Sequence, residues 1–120
     1  MNRFIAFQHV DREGPGLFAE IAKARGMHLE IIRLDQEEPI PEVEKGDLLL
    51  FLGGPMGIRD LDNSQYPWLR KELDFIRIAL TKQIAVIGVC LGAQLLAKAA
   101  GGSVKILLDE NSSEAKPEVG

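Results

Sequence analysis

Apolar positions along this chain recur at two spacings, and each change of spacing marks a new element. Arg3 to Phe7 is short and mostly apolar, as a strand requires. Asp11 to Gly16 is a polar turn with glycine and proline. Leu17, Phe18, Ile21 and Ala22 then fall on one helical face, and Gly26 closes that helix. Leu29 to Leu34 alternates weakly and predicts a second strand. Asp35 to Gly46 reads as a loop with Pro39, Pro41 and several acids. Asp47 to Leu52 sets five apolar residues behind one acid, the pattern of a strand buried on both faces.

Gly53-Gly54-Pro55-Met56-Gly57 breaks that strand sharply. Asp60 to Pro67 is a second polar loop. From Trp68, the set Leu69, Leu73, Ile76 and Leu80 steps by three and four, which predicts a helix to about Thr81. Ile84 to Val89 predicts a strand. Ala93 to Ala100 predicts a small-residue helix stopped by Gly101-Gly102. Ser103 to Leu108 suits one more strand. The division expected is a domain over 1–108 and a polar tail over 109–120, read as loop or frayed end.

Strands alternating with helices argue for an α/β fold, a mostly parallel sheet covered on both faces. Ligands of such sheets bind beyond the carboxyl ends of the strands. The glycine-rich breaks at Gly53 and Gly88 both lie at such ends, so they can face each other across one crevice.

The second break carries the chemistry. In Val86-Ile87-Gly88-Val89-Cys90-Leu91-Gly92-Ala93-Gln94 an apolar strand ends at glycine, and a cysteine precedes a second glycine that opens a helix. This is a Gly-x-Cys-x-Gly nucleophile elbow, a strained strand-to-helix turn that lifts one side chain clear of the sheet. The helix start aims free N–H groups and a positive dipole end at the sulfur, which favours a negative sulfur. The N–H after the nucleophile, here that of Leu91, is an oxyanion donor. The Gly53-Gly54-Pro55 turn reads as a second donor. No Gly-Lys-Ser/Thr follows it, which argues against a phosphate loop. The chemistry implied is acyl transfer through a thioester.

Composition narrows the setting. One domain is expected from 120 residues, and 46% apolar with 27% charged residues is ordinary for a globular chain. A net charge of −4 with no basic stripe argues against nucleic acid as a partner. No apolar run reaches the roughly 18 residues of a membrane span. The N-terminus enters a strand directly and lacks a secretory cleavage pattern, so a cytoplasmic location is expected. Cys90 is alone, forms no internal disulfide and suits a reducing compartment. No cofactor or metal is expected. Glu37, Glu38, Glu42 and Glu44 read as a solvated acidic face.

Gly53-Gly54-Pro55 and Gly88-Val89-Cys90-Leu91-Gly92-Ala93-Gln94, each after a buried strand, resemble the class I glutamine amidotransferases. Leu95-Leu96-Ala97 and Gly101-Gly102-Ser103-Val104 are similar as well. Gln8-His9, Gly14-Pro15-Gly16 and Pro67-Trp68-Leu69 resemble the subgroup related to the amidotransferase domain of GMP synthase. The resemblance runs from Arg3 to about Val104. It implies a flavodoxin-like three-layer sandwich, truncated here. It also implies hydrolysis of the glutamine side-chain amide to glutamate and ammonia through a glutamyl thioester. Cys90 would be the nucleophile, with the N–H groups of Gly54 and Leu91 as the oxyanion hole. Gln94 would help hold glutamine, with Gly53 and Met56 lining the pocket. The partner implied is a synthetase domain or subunit that accepts the ammonia.

One departure matters. The family completes its site with a His-x-Glu pair far downstream of the cysteine, and this sequence does not contain it. His28 precedes a strand and reads as a surface or edge residue. His9 ends the first strand on the crevice side and is not assigned the missing role. Glu110, Glu114 and Glu118 read as solvated tail charges. Losing the general acid that protonates the leaving ammonia costs roughly 100- to 10,000-fold in rate, so impaired turnover is the expectation for this short chain. A shortened sheet exposes edge and core, which favours self-association. The alternatives are a related cysteine hydrolase on the same elbow, a gamma-glutamyl peptidase or a DJ-1/PfpI-like enzyme, and a non-catalytic scaffold. Leu91 argues against the DJ-1-like branch, where histidine usually follows the cysteine.

Overall fold

The computed structural model describes residues 2–101 in full and the backbone of two further strands, 104–108 and 115–119. The chain runs β1 (Phe4–Gln8), α1 (Leu17–Ala24), β2 (Leu29–Arg33), β3 (Leu48–Phe51), α2 (Pro67–Thr81), β4 (Ala85–Gly88), α3 (Leu91–Ala99), β5 (Val104–Leu108) and β6 (Ala115–Val119). Short 3-10 turns occupy Leu34–Gln36 and Ile58–Asp60.

β1 to β4 form one parallel sheet in the order β2-β1-β3-β4. The chain moves outward from β1 to β2, then crosses back to continue on the other side with β3 and β4. Right-handed crossovers in opposite directions put their helices on opposite faces. Side-chain alternation agrees. Ile5, Phe7, Leu49 and Phe51 point toward α2 and α3, where they meet Trp68, Leu69, Leu73, Ile76, Leu91 and Leu95. Phe4, Ala6, Leu50 and Leu52 point the other way, against Phe18 and Ala22 of α1. The result is the flavodoxin-like three-layer α/β arrangement expected from the sequence.

The thicker core lies under α2. The rings of Phe7 and Phe51 stack with centroids 4.6 Å apart, and Phe75 tilts against both. Proline at the first position of α2 needs no N–H partner there, which explains a start one residue earlier than the periodicity suggests.

The expected face of α1 is only partly buried. Leu17 and Ile21 stay 67% and 44% exposed, while Phe18 and Ala22 of α1 meet the buried face of the sheet. β4 is an edge of the four-stranded sheet, and Ile87 on its α1-side face remains open.

Of the tail expected over 109–120, residues 109–114 lie outside the described residues. Residues 115–119, expected to be loop or frayed end, form β6, which pairs antiparallel with β5 in a separate two-stranded sheet. Pro117 sits within β6. Proline is confined to edge strands, and both strands of a two-stranded ribbon are edges.

Candidate active site

Parallel register aligns the strand ends. Phe7 lies beside Phe51, and Phe51 beside Gly88, so the turns after β1, β3 and β4 leave the sheet at one edge. Those turns begin with His9, Leu52-Gly53 and Val89-Cys90.

Cys90 stands between β4 and α3 with φ 51° and ψ −111°, a backbone setting that a residue with a Cβ rarely adopts. Its side chain is exposed. The elbow is pinned from below. Val89 N–H donates to the Phe51 carbonyl at 2.9 Å, and Gly92 N–H donates to the Val89 carbonyl at 2.9 Å. The two glycines are required by space. A Cβ on Gly88 would lie 2.6 Å from the Gly92 carbonyl carbon, and one on Gly92 would overlap the Phe51 carbonyl.

A cleft of about 420 Å³ opens above the elbow, lined by Gly54, Pro55, Met56, Gly57, Ile58, Arg59, Cys90, Leu91 and Gln94. The structure therefore brings together Cys90, Gly54, Leu91, Met56 and Gln94, the residues singled out in the sequence. Gly53 stands at its back, where a Cβ would be 3.5 Å from the Cβ of Cys90. Among the described residues, neither the Gly54 N–H nor the Leu91 N–H has a protein acceptor. Both residues line the cleft beside Cys90. Leu91 also packs its side chain against Gly54. Gln94 N–H donates to the Cys90 carbonyl at 3.1 Å, which sets its side chain one turn into α3, near Gly57.

His9 does not enter the cleft. It is wholly buried beneath the glycine–proline turn, with Nε2 2.6 Å from Glu72 Oε2 and Nδ1 3.3 Å from the Gly53 carbonyl oxygen. Burial pushes the Glu72 carboxyl above its ordinary pKa, and the bond to His9 offsets part of that rise. His28 is exposed at the start of β2, at the opposite edge of the sheet, as expected of a surface residue. Glu37, Glu38, Glu42 and Glu44 are exposed as well. The side chains of Glu110, Glu114 and Glu118 lie outside the described residues.

Three residues at or beneath the site escape sequence reasoning. Glu13 brings its carboxylate beside Gly53, because Gln8 donates to the Val10 and Asp11 carbonyls and folds the β1–α1 turn back over the sheet edge. Arg59 is the one cation among the cleft's described lining residues. Glu72 is the third, and it did leave a trace. It occupies the apolar stripe of α2 between Leu69 and Leu73, where an acid needs a buried partner. Among the described residues, no cluster of His, Cys, Asp or Glu could hold a metal ion, and no helix is long and apolar enough to cross a membrane.

The model of the class-I glutamine amidotransferase family matches residues 17–119. The glutamine amidotransferase-like protein YfeJ of Salmonella typhimurium is 33% identical over 98 residues, 80% of this chain and 41% of that protein. A glutamine-hydrolyzing GMP synthase subunit of Saccharolobus solfataricus is 31% identical over 97 residues, 78% of this chain and 45% of its own length. Among solved structures, a glutamine amidotransferase from Thermotoga maritima superposes with a TM-score of 0.77 at 31% identity, over 87% of this chain and 45% of that one. One from Methylobacillus flagellatus gives 0.73 at 35% identity, over 87% and 41%. This chain thus spans less than half the length of these relatives.

Proposed function

The chain belongs to the class I glutamine amidotransferase family, and on that premise we propose that Cys90 is the nucleophile of a centre that splits the glutamine side-chain amide. The observation that carries this reading is the pair of unpartnered N–H groups, of Gly54 and Leu91, at the cleft of an exposed cysteine held at positive φ.

The sulfur of Cys90 attacks the amide carbon, and a carbon–sulfur bond forms as the carbonyl π electrons move to oxygen. The Gly54 and Leu91 N–H groups receive that charge. One such donor typically contributes on the order of 3 kcal/mol to transition-state stabilisation. The oxyanion then re-forms the carbonyl, the carbon–nitrogen bond breaks, and the nitrogen leaves as ammonia with the proton that the thiol gave up. Water cleaves the thioester, giving glutamate and restoring the thiol. Met56 and Gln94 line the side of the cleft where the glutamine chain lies, with Gly53 behind the sulfur. Arg59 at the rim suits the substrate carboxylate, and Glu13 behind Gly53 suits a positive group.

The described residues supply no acid for the leaving nitrogen. His9 is buried and committed to Glu72 and Gly53. Among the described residues thioester formation is accordingly slow, and a paired acid from outside them completes turnover. The ammonia passes to a synthetase domain or subunit; the likeness to a GMP synthase component supports this reading. A free thiol at the site suits a reducing, cytoplasmic setting.

The test is covalent labelling of the native protein by a glutamine-mimicking electrophile, read by intact mass. The expected result is a single adduct at Cys90, suppressed by free glutamine. Suppression by gamma-glutamyl peptides alone would favour the peptidase. No adduct, with no protection and no thermal shift from glutamine, would leave a scaffold.

A further inference from the structure

Two polar side chains with no exposure at all are costly to bury, and the His9–Glu72 pair beneath the glycine–proline turn is such a case. Glu72 Oε1 lacks any hydrogen-bond partner, so the pair is not there for an ideal polar fit. Hydrogen placement shows what the ring is doing. The Gly53 carbonyl oxygen can only accept, so His9 Nδ1 carries a hydrogen and donates to it. Nε2 and Glu72 Oε2 share one further proton across 2.6 Å. The ring is thus anchored at one end by α2 and grips the turn with the other, while Trp68 packs at its side with ring centroids 5.6 Å apart.

The gripped oxygen belongs to a rigid unit. The Gly53 carbonyl and the Gly54 N–H share one planar trans peptide and point in opposite directions. A peptide between two glycines rotates at little steric cost. Holding its oxygen toward His9 keeps its N–H turned away from His9 and free to serve the cleft. Resting on the oxyanion-hole reading above, we propose that the buried His9–Glu72 pair is a positioning device that aims the Gly54 N–H at the substrate carbonyl oxygen.

Two alkylations of Cys90 test this. The chloromethyl ketone analogue of glutamine places negative charge on its carbonyl oxygen as sulfur adds and chloride leaves. Iodoacetamide is attacked at its methylene, iodide leaves, and no oxyanion forms. The ratio of the two rates therefore reads the oxyanion hole and not the thiol alone. His9→Gln reaches Glu72 but loses the donor to Gly53, and should lower the ratio by about 10- to 100-fold, with the iodoacetamide rate unchanged. His9→Asn puts an amide nitrogen near the position of Nδ1 and should recover part of that loss, which a merely structural role would not produce. Should neither histidine variant melt cooperatively, Glu72→Gln, which still bonds Nε2, is compared with Glu72→Leu, which does not. The glutamine variant should hold the ratio, and the leucine variant should lower it about tenfold. A labelled wild type with an unchanged ratio in His9→Gln, or equal ratios in the two Glu72 variants, overturns the inference alone. A wild type alkylated by iodoacetamide but untouched by the ketone overturns the glutamine reading and this inference with it.

Discussion

Gly92→Ala sets two physical rules against each other. By helix propensity alone, alanine in the first turn of α3 should stabilise the protein by up to about 1 kcal/mol. The elbow reverses the sign. The new Cβ would sit 2.6 Å from the carbonyl carbon of Phe51 and 2.9 Å from its Cβ, and would overlap the oxygen. Phe51 has nowhere to go, being wholly buried in a central strand with its ring stacked on Phe7. The Phe51 oxygen also accepts the Val89 N–H that pins the elbow, so moving it breaks that bond. Overpacking costs about 1–3 kcal/mol, and breaking the Val89 hydrogen bond costs about 1 more. Against the helical gain, the net expectation is a loss of about 2 kcal/mol. For a chain of this size that lowers the melting temperature by about 6–10 °C. Thermal and urea melts of wild type and variant measure it. Gly26→Ala is the reference, because its Cβ meets nothing within 4 Å and only its φ of +70° resists substitution. That variant should lose only about 1 kcal/mol. A Gly92→Ala protein as stable as wild type would refute the close approach of elbow and strand on which the site depends.

Other outcomes follow from the same geometry. Cys90→Gly should stabilise the protein by about 1 kcal/mol, because an exposed side chain at φ 51° contributes strain and little packing; an unchanged or lower midpoint by calorimetry counts against strain at the elbow. Phe7→Ala should cost about 3–5 kcal/mol in urea unfolding, since it empties the stack under α2. Asp47 is buried, which opposes its charge, but N–H donors from Glu44 and Arg3 outweigh burial and hold its carboxyl below the ordinary pKa. A depressed folded pKa gives stability that is present above the unfolded carboxylate value, near about 4, and lost as pH falls through the folded value. Asp47→Asn should therefore melt below wild type at pH 7, and the gap should close in acid; a gap independent of pH would contradict the assignment.

Much of the site was legible locally. The elbow was readable because Gly88, Cys90 and Gly92 meet a steric demand within five residues, after a strand and before a helix. Leu91 followed from the elbow and a second donor from the glycines of the Gly53–Gly57 turn, whereas Gln94 came only with the family resemblance. His9 was legible only in part. Its place at the end of β1 was clear, but whether it faced the cleft or the core was not. The answer comes from Glu72, 63 residues later. The tail strand was lost for a different reason, because its pattern is short and interrupted by Pro117.

Periodicity along the chain decided the strands and helices of residues 2–101, and the strand–helix alternation decided a parallel sheet with the candidate site at its carboxyl edge. Those properties depend on neighbours a few residues apart, so they survive reading in one dimension. Register and crossover order alone decided that the turns after β1, β3 and β4 converge, that Glu13 reaches Gly53, and that a buried histidine holds the peptide beside the sulfur. These contacts join segments whose separation in the chain carries no signal of their meeting, and only packing the two faces of the sheet makes them neighbours.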